Sequence, residues 1–263
     1  MVLAVPPAFA KKANESNSPG SRQEPVFDPQ SREILLKMCE FMKSQQEFSF
    51  KAEVTDDELS DTGTPVEHAF DLEAFVRRPD RLRVNGEGDV VSKQFVYDGK
   101  TFTLYDGKNN VYAAAEAPGD IEATLDKAHR NFNLTVALAD LASANLCEHA
   151  STGISNGTYV GVNNVRGVKA HHFAFDKNNA HYQLWVETGD KPLIRRIVIT
   201  RPETPYSVQW SAYISDWNFD PKLQDNLFAF VPPEGAEQIE FAPVQTVQAP
   251  VPKRGTARKG DRT

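Results

Sequence analysis

The sequence has no apolar run that approaches the roughly 18 residues of a membrane-spanning helix, so we expect no transmembrane segment. It also lacks the P-loop, G-x-G-x-x-G and H-E-x-x-H patterns that accompany nucleotide, dinucleotide and zinc chemistry. We therefore expect no enzyme: the sequence predicts no catalytic residue, no metal site and no cofactor.

Cysteine is scarce, since Cys39 and Cys147 are the only two in the chain. In an exported protein they can pair, and such a bond closes a long loop and stabilises the fold by up to ~4 kcal/mol. Two unpaired cysteines are equally compatible with the sequence, because the sequence gives no distance between them. Both alternatives stay open.

Basic residues are outnumbered by acidic ones, and the formal net charge is −7. Five basic residues and one acidic residue lie in Lys253–Thr263, so the rest of the chain carries −11. Because phosphate binding requires a basic face, we expect no nucleic-acid partner.

The first ten residues contain a candidate export signal. Ala8-Phe9-Ala10 has the small-x-small form of a signal-peptidase site, although a basic n-region and most of an apolar h-region are missing. We interpret residues 1–27 as the remnant of a truncated signal peptide followed by a disordered lead-in, which predicts a periplasmic protein. The alternative is a flexible terminus rich in Ala and Pro.

Three segments are predicted to be helical. Asp28 and Pro29 have the residue types of an N-cap and a first helical position, and the apolar period after them predicts a helix ending near Gln46. Gly119-Asp120 begins a second helix, and a third covers roughly Thr135 to Asn145. The last two form a mid-chain insert.

Elsewhere apolar and polar residues alternate, which predicts eleven antiparallel strands, six before the insert and five after it. The stretch from Lys93 to Ala115 reads as three strands in the middle of this sheet. Its first turn, if Asp98-Gly99 is a two-residue loop, places Phe95 opposite Phe102. The second turn leaves open whether Tyr112 points inward or outward.

A second hairpin is predicted around Asn178-Asn179, with Phe175 opposite Tyr182. Strands with one apolar face cannot lie flat in water, so the sheet must curl around a core of its own apolar side chains and those of the helices. We predict a mostly β (α+β) fold with a single domain at 28–242 and a disordered basic tail at 243–263.

Two groups of polar residues were weighed as metal sites. His171 and His172 are neighbours on a strand and point to opposite faces, and His181 lies some 13 Å along from His172, which argues against a shared ion. The acidic residues between Asp56 and Pro65 lack the spacing of calcium loops and are interpreted as a solvated hairpin loop.

The apolar residues of the strands provide the candidate functional site. They either form a plain packed core or line an apolar cavity for a ligand, and the sequence leaves both open. The candidate cavity residues are Phe48, Phe50, Phe70, Leu72, Phe95, Phe102, Phe173, Phe175, Tyr182, Leu184 and Trp210.

Several short segments, in this order and spacing, resemble one family across about Asp28 to Ala242. They are Asp28-Pro29, Arg78-Pro79-Asp80-Arg81-Leu82, Tyr97-Asp98-Gly99-Lys100-Thr101, Tyr159-Val160-Gly161, His172-Phe173-Ala174-Phe175, Gln183-Leu184-Trp185 and Phe230-Val231-Pro232-Pro233. The sequence is similar to a family of predicted periplasmic proteins known as domain of unknown function 2092. That family is similar in fold to the lipoprotein carriers LolA and LolB.

The resemblance implies an unclosed antiparallel half-barrel with helices in its concave side and an apolar cavity. It leads to two hypotheses of function. It predicts no oligomeric state. The first is a carrier or sensor that binds a lipid, an acyl chain or an acylated protein. The second is a non-catalytic interaction scaffold of the cell envelope with a filled core.

Overall fold

The computed structural model describes residues 27–117, 119–202 and 207–242, so the expectations for residues 1–26 and 243–263 lie outside the described part of the chain. Within it, twelve strands form one unclosed sheet with three α-helices, which confirms the predicted mostly β half-barrel. The helices are α1 Pro29–Ser44, α2 Ile121–Phe132 and α3 Leu146–Ser151. The strands are β1 Glu47–Leu59, β2 Pro65–Arg77, β3 Arg81–Gly88, β4 Ser92–Tyr97, β5 Thr101–Asp106, β6 Val111–Glu116, β7 Ile154–Val165, β8 Val168–Lys177, β9 Ala180–Glu187, β10 Ile194–Thr200, β11 Gln209–Asn218 and β12 Glu237–Gln238.

The sheet consists of two halves that meet in its middle. Its strand order is β12-β6-β5-β4-β3-β2-β1-β11-β10-β9-β8-β7. We call β1 to β6 the N-terminal half and β7 to β11 the C-terminal half. The insert between β6 and β7 must cross from one end of the sheet to the other. The stretch from Lys93 to Ala115 lies near one end, so its expected position in the middle of the sheet is wrong.

The expected count of eleven antiparallel strands is also wrong by one strand. β12 pairs with β6 in parallel, through Glu237 N donating to Asn110 O at 3.0 Å and Ile239 N donating to Tyr112 O at 2.8 Å. A two-residue strand has no alternation to detect, and its pairing depends on a partner more than 100 positions away.

Helix α1 begins as predicted. The Asp28 carboxylate accepts a hydrogen bond from Ser31 N at 3.0 Å, and Pro29 is the first helical residue. Met38 and Met42 on its apolar stripe are fully buried in the main core. Thus α1 is held by its stripe across the concave face.

The insert differs from its prediction. Helix α2 is confirmed, with Asp120 as its N-cap, but the helix expected from Thr135 to Asn145 is wrong. Only a 3-10 turn at Ala139–Ala142 forms there, because Leu138 adopts a left-handed conformation with φ of 58°, and α3 follows at Leu146–Ser151. Nearly every residue of 134–142 is buried, so no polar face imposes a helical period on the segment.

The two predicted hairpins have different outcomes. Phe175 pairs with Tyr182 as expected, but Phe95 pairs with Leu104 and not with Phe102. The turn is centred one position later in the sequence than predicted. The Asp98 carboxylate accepts hydrogen bonds from Lys100 N and Thr101 N, and Gly99 takes a φ of +89°. A slip of two residues preserves the faces, so Phe95 and Phe102 still stack at 5.8 Å.

The expected loop from Asp56 to Pro65 is shorter than predicted. Strand β1 continues to Leu59, and β2 begins at Pro65. Asp56 is buried in β1, where its carboxylate pairs with Arg201 Nη2 at 3.2 Å. This ion pair explains how the strand includes an acidic residue that the sequence assigned to a solvated loop.

A disulfide bond and the hydrogen bonds of one arginine hold the helical segments in place over the sheet. Cys39 and Cys147 form a disulfide with a Cα–Cα distance of 5.2 Å, which joins α1 to α3 and settles the alternative left open by the sequence. The Arg78 guanidinium donates hydrogen bonds to five carbonyls, among them Met42 O at 2.8 Å and Ala142 O at 3.0 Å. It therefore fixes the end of α1 and the insert to each other.

The C-terminal segment covers the β6 end of the sheet on both faces. Phe230 lies 5.2 Å from Tyr112 and 5.9 Å from Tyr105 on the outer face, whereas Phe241 stacks on the inner residues Phe132 and Phe102. Tyr112 therefore points away from the concave side, where Phe102 lies, and it lines no pocket there.

Candidate functional site

A cavity of about 480 Å³ lies between the C-terminal half of the sheet, helix α1 and the insert. Its sheet residues all belong to β7 to β11, and none comes from the N-terminal half. Such a volume falls within the ~300–1,000 Å³ of small-molecule sites. It is lined by Phe27, Arg32, Leu35, Leu36, Met38, Cys39, Val136, Leu138, Asp140, Leu141, Leu146, Cys147, Ile154, Phe175, Lys177, Tyr182, Gln183, Leu184, Ile194, Ile197, Ile199 and Trp210.

The local sequence explains why these side chains converge. Tyr182 and Leu184 alternate on β9, as do Ile197 and Ile199 on β10, so each pair presents two apolar groups to the same face. Leu35 and Leu36 are carried by α1 above them. The walls are thus mostly aliphatic, and the cavity favours an apolar ligand.

Two ionisable side chains face each other across the cavity wall. Burial raises the pKa of Asp140 to about 7, opposed by the charge of Lys177. Burial likewise lowers the pKa of Lys177 to about 8, opposed by the charge of Asp140. Each compensates the other, so this part of the cavity has little net charge.

The opening of the cavity lies at α1. Of the lining residues only Arg32 and Leu36 are exposed, and we call these two residues the mouth. Leu36 leaves 51% of its surface accessible and is the apolar side chain of the mouth.

Four of the eleven sequence-predicted cavity residues line this cavity: Phe175, Tyr182, Leu184 and Trp210. The other seven belong to the packed core, and they are Phe48, Phe50, Phe70, Leu72, Phe95, Phe102 and Phe173. Six of these seven lie in the N-terminal half, where aromatic rings from other segments fill the space.

Sequence reasoning did not single out Arg32, Asp140 or Lys177. Arg32 lies one turn before Leu36 on an otherwise apolar face of α1, and this spacing is a signal that the sequence did contain. Asp140 and Lys177 are 37 positions apart and meet only through the crossing of the insert over the sheet.

The histidines lie apart, in the positions that their strand register implies. His171 contacts the Tyr159 hydroxyl at 2.9 Å on one face, and His172 stacks on Trp185 at 4.1 Å on the other. His181 pairs with Asp176 at 2.5 Å. Among the described residues no group of three metal-ligating side chains comes together, at the histidines or at the acidic end of β1.

One motif escaped the sequence analysis, since Gly153-Ile154-Ser155-Asn156-Gly157 has the G-x-S-x-G form. A nucleophile elbow places this serine at a sharp turn from a strand into a helix. Here the order is reversed, because the segment leaves α3 and Ser155 lies exposed within β7. The match does not have the geometry of an elbow.

A family model for the "predicted periplasmic protein (DUF2092)" family matches residues 31–242. The chain belongs to this family. The DUF2092 assignment confirms the family resemblance in the sequence and the expected periplasmic location. In the part of the chain that the structure describes, no helix is long and apolar enough to cross a membrane.

Solved structures with a similar fold share little sequence with this DUF2092 protein. An uncharacterized conserved protein from Thermus thermophilus is 11% identical with a TM-score of 0.47, over 80% of this chain and 99% of that one. LprF from Mycobacterium bovis is 15% identical with a TM-score of 0.45, over 80% and 98%. A LolA superfamily protein from Nitrosomonas europaea is 11% identical with a TM-score of 0.40, over 76% and 97%. No curated protein matches the chain.

Proposed function

We propose that this periplasmic protein binds the acyl chain of a lipid or lipoprotein in the cavity of its C-terminal half, as a carrier or sensor without catalytic activity. The observation that carries the proposal is the cavity of about 480 Å³ beneath α1, with aliphatic walls. Each methylene buried there contributes about 0.8 kcal/mol. Eight buried methylenes therefore contribute about 6 kcal/mol before the cost of association.

Helix α1 and the insert lie over the cavity, and we call them the cover. The way in which the cover is attached supports entry of a ligand from the side of α1. The disulfide ties Cys39 of α1 to Cys147 of α3, and both cysteines line the cavity. The Arg78 hydrogen bonds to Met42 O and Gln45 O fix the C-terminal end of α1, so both attachments lie beyond the mouth residues along the helix. A ligand then enters between the mouth residues and the rim of the sheet while the cover stays attached.

The test is native mass spectrometry of protein extracted gently from its own cells. We expect a bound mass that is released by organic solvent and identified as a molecule with an acyl chain. Recovery of the bare polypeptide mass only, together with failure of the delipidated protein to take up an added fatty acid, would contradict the proposal.

The second candidate function is an interaction scaffold, and one observation favours it. Strand β7 is an end strand of the sheet, and Tyr159, Val160 and Val162 on it are exposed. This function predicts that Val160→Lys abolishes a protein interaction while acyl-chain binding is absent. Cross-linking in the periplasm with and without that substitution distinguishes it from the carrier.

A further inference from the structure

The cavity has a charge asymmetry that its apolar walls do not explain. Asp140 and Lys177 compensate each other at the buried wall. Arg32 at the mouth has no ion pair or side-chain hydrogen bond with any described residue. The positive charge of the cavity is therefore concentrated at its opening, although the whole chain carries −7.

The acidic neighbours of Arg32 on α1 are already engaged. The Asp28 carboxylate accepts hydrogen bonds from Ser31 N at 3.0 Å and Ser31 Oγ at 2.5 Å. Glu33 pairs with Lys37 Nζ at 2.7 Å. With respect to the described residues, the Arg32 guanidinium thus remains available to a ligand, and a planar fork of N–H donors suits carboxylate and phosphate oxygens.

Arg32 and Leu36 are four residues apart and so share one face of α1. An exposed leucine thus lies, at the rim of an apolar cavity, next to a cation that has no ion pair within the described part of the chain. The same two features are complementary to a molecule that has an apolar chain and an anionic head. The volume of about 480 Å³ lies in the lower half of the range for ligand sites, which favours one chain over several.

We infer that the ligand is a single-chain amphiphile with an anionic head group, whose chain occupies the cavity and whose carboxylate or phosphate binds Arg32 at the mouth. This inference rests on the proposed function and adds the class of ligand and its orientation. The compensated Asp140–Lys177 pair offers no comparable site for an anion at the buried wall.

The test is displacement of a fluorescent acyl probe by four amphiphiles with the same chain, below their micelle concentrations: dodecanoate, dodecyl phosphate, dodecanol and dodecyltrimethylammonium. We expect both anions to bind about fivefold more tightly than the alcohol, since a partly exposed ion pair contributes up to about this factor, and the cation to bind more weakly. In Arg32→Gln the anions should fall to the affinity of the alcohol, and Arg32→Lys should keep part of the preference. Lys43→Gln, an exposed lysine on the same helix but outside the cavity, is the matched control and should keep all of it.

The outcomes separate the two proposals. If none of the four amphiphiles displaces the probe or binds directly, the proposed function fails and the inference fails with it. If the alcohol binds as tightly as the anions and Arg32→Gln changes nothing, acyl-chain binding stands and the anionic head is refuted. Loss of the preference in Lys177→Met but not in Arg32→Gln would refute the orientation.

Discussion

The N-terminal and C-terminal halves of the sheet both present alternating apolar side chains to the concave side, but they are filled differently, and the cavity of about 480 Å³ borders strands of the C-terminal half. In the N-terminal half, Phe102 is covered by Phe132 of α2 and by Phe241, with ring centroids 6.1 and 5.4 Å away. Phe50 is likewise covered by Trp217 at 4.7 Å. In that half, rings from distant segments occupy the space that the strands enclose.

The concave side of the C-terminal half is covered by smaller side chains than that of the N-terminal half. Its cover consists mainly of leucine, valine and methionine side chains from α1 and the insert, and Phe27 is the aromatic side chain that the described cover contributes. Ile194, Ile197 and Ile199 on β10 form part of the opposite wall. The cavity therefore depends on which side chains cover a strand rather than on the strand itself.

The largest expected effect concerns the cover of the C-terminal half. The double substitution Cys39→Ala with Cys147→Ala opens a loop of 108 residues in sequence separation, and we expect the free energy of unfolding to fall by about 4 kcal/mol. Urea unfolding measures it, with the oxidised wild type as reference. A loss below about 1 kcal/mol would mean that the disulfide does not secure the cover.

The next prediction compares two phenylalanines. Phe95→Ala removes a fully buried ring from the filled half and should cost about 4 kcal/mol. Phe175→Ala removes a partly buried ring that already borders the cavity, so we expect about 1–2 kcal/mol. Equal losses in urea unfolding would contradict the difference between the halves.

Enlarging a side chain should produce the opposite pattern. Leu72→Trp inserts an indole into the filled half and should destabilise the protein by about 1–3 kcal/mol or more. Leu184→Trp places the same group at the cavity, where we expect a cost of less than about 1 kcal/mol because the open space accommodates the added volume. Thermal unfolding of the two variants provides the check, and greater damage from Leu184→Trp would refute the presence of open space at β9.

The last prediction concerns the pH dependence of stability. Because burial raises the pKa of Asp140 to about 7 from its usual 3.8, the folded state binds this proton more tightly than the unfolded state does. Its contribution to stability is therefore fully present below about pH 4 and is lost as the pH rises through about 7. The difference in urea midpoint between wild type and Asp140→Asn should change with pH over that window, as the wild type loses stability and the variant does not.

The control for this prediction is Asp61→Asn, an exposed loop residue whose substitution should leave the same pH profile as the wild type. A difference between wild type and Asp140→Asn that stays constant from about pH 4 to about pH 8 would show that Asp140 does not titrate in the enclosed environment described above.

Much of the fold followed from local patterns, whereas features such as the pairing of β12 with β6 depend on distant partners. Alternation placed Phe95 and Phe102 on one face even though their register was wrong, because a slip of two residues keeps faces unchanged. The slip itself came from the Asp98 side chain, whose hydrogen bonds selected a different turn. The expected helix after Thr135 failed because burial on all sides removes the helical period.

The candidate site could be predicted only in part for the same reason. Phe95 and Phe175 look alike in the sequence, since each lies in an alternating strand beside a turn. Phe95 is buried against Phe102, which rings from the chain after residue 130 cover, whereas Phe175 borders open space. No local sequence pattern in a strand indicates how completely the covering side chains fill the concave face of the sheet.

We expect the C-terminal half, and not the N-terminal half, to take up an acyl chain. The decisive measurement is titration of a fluorescent fatty acid against the delipidated wild type, Leu184→Trp and Leu72→Trp. We expect saturable binding by the wild type and by folded Leu72→Trp, with binding lost in Leu184→Trp. Unchanged binding in Leu184→Trp, with loss in Leu72→Trp despite native folding, would contradict the account.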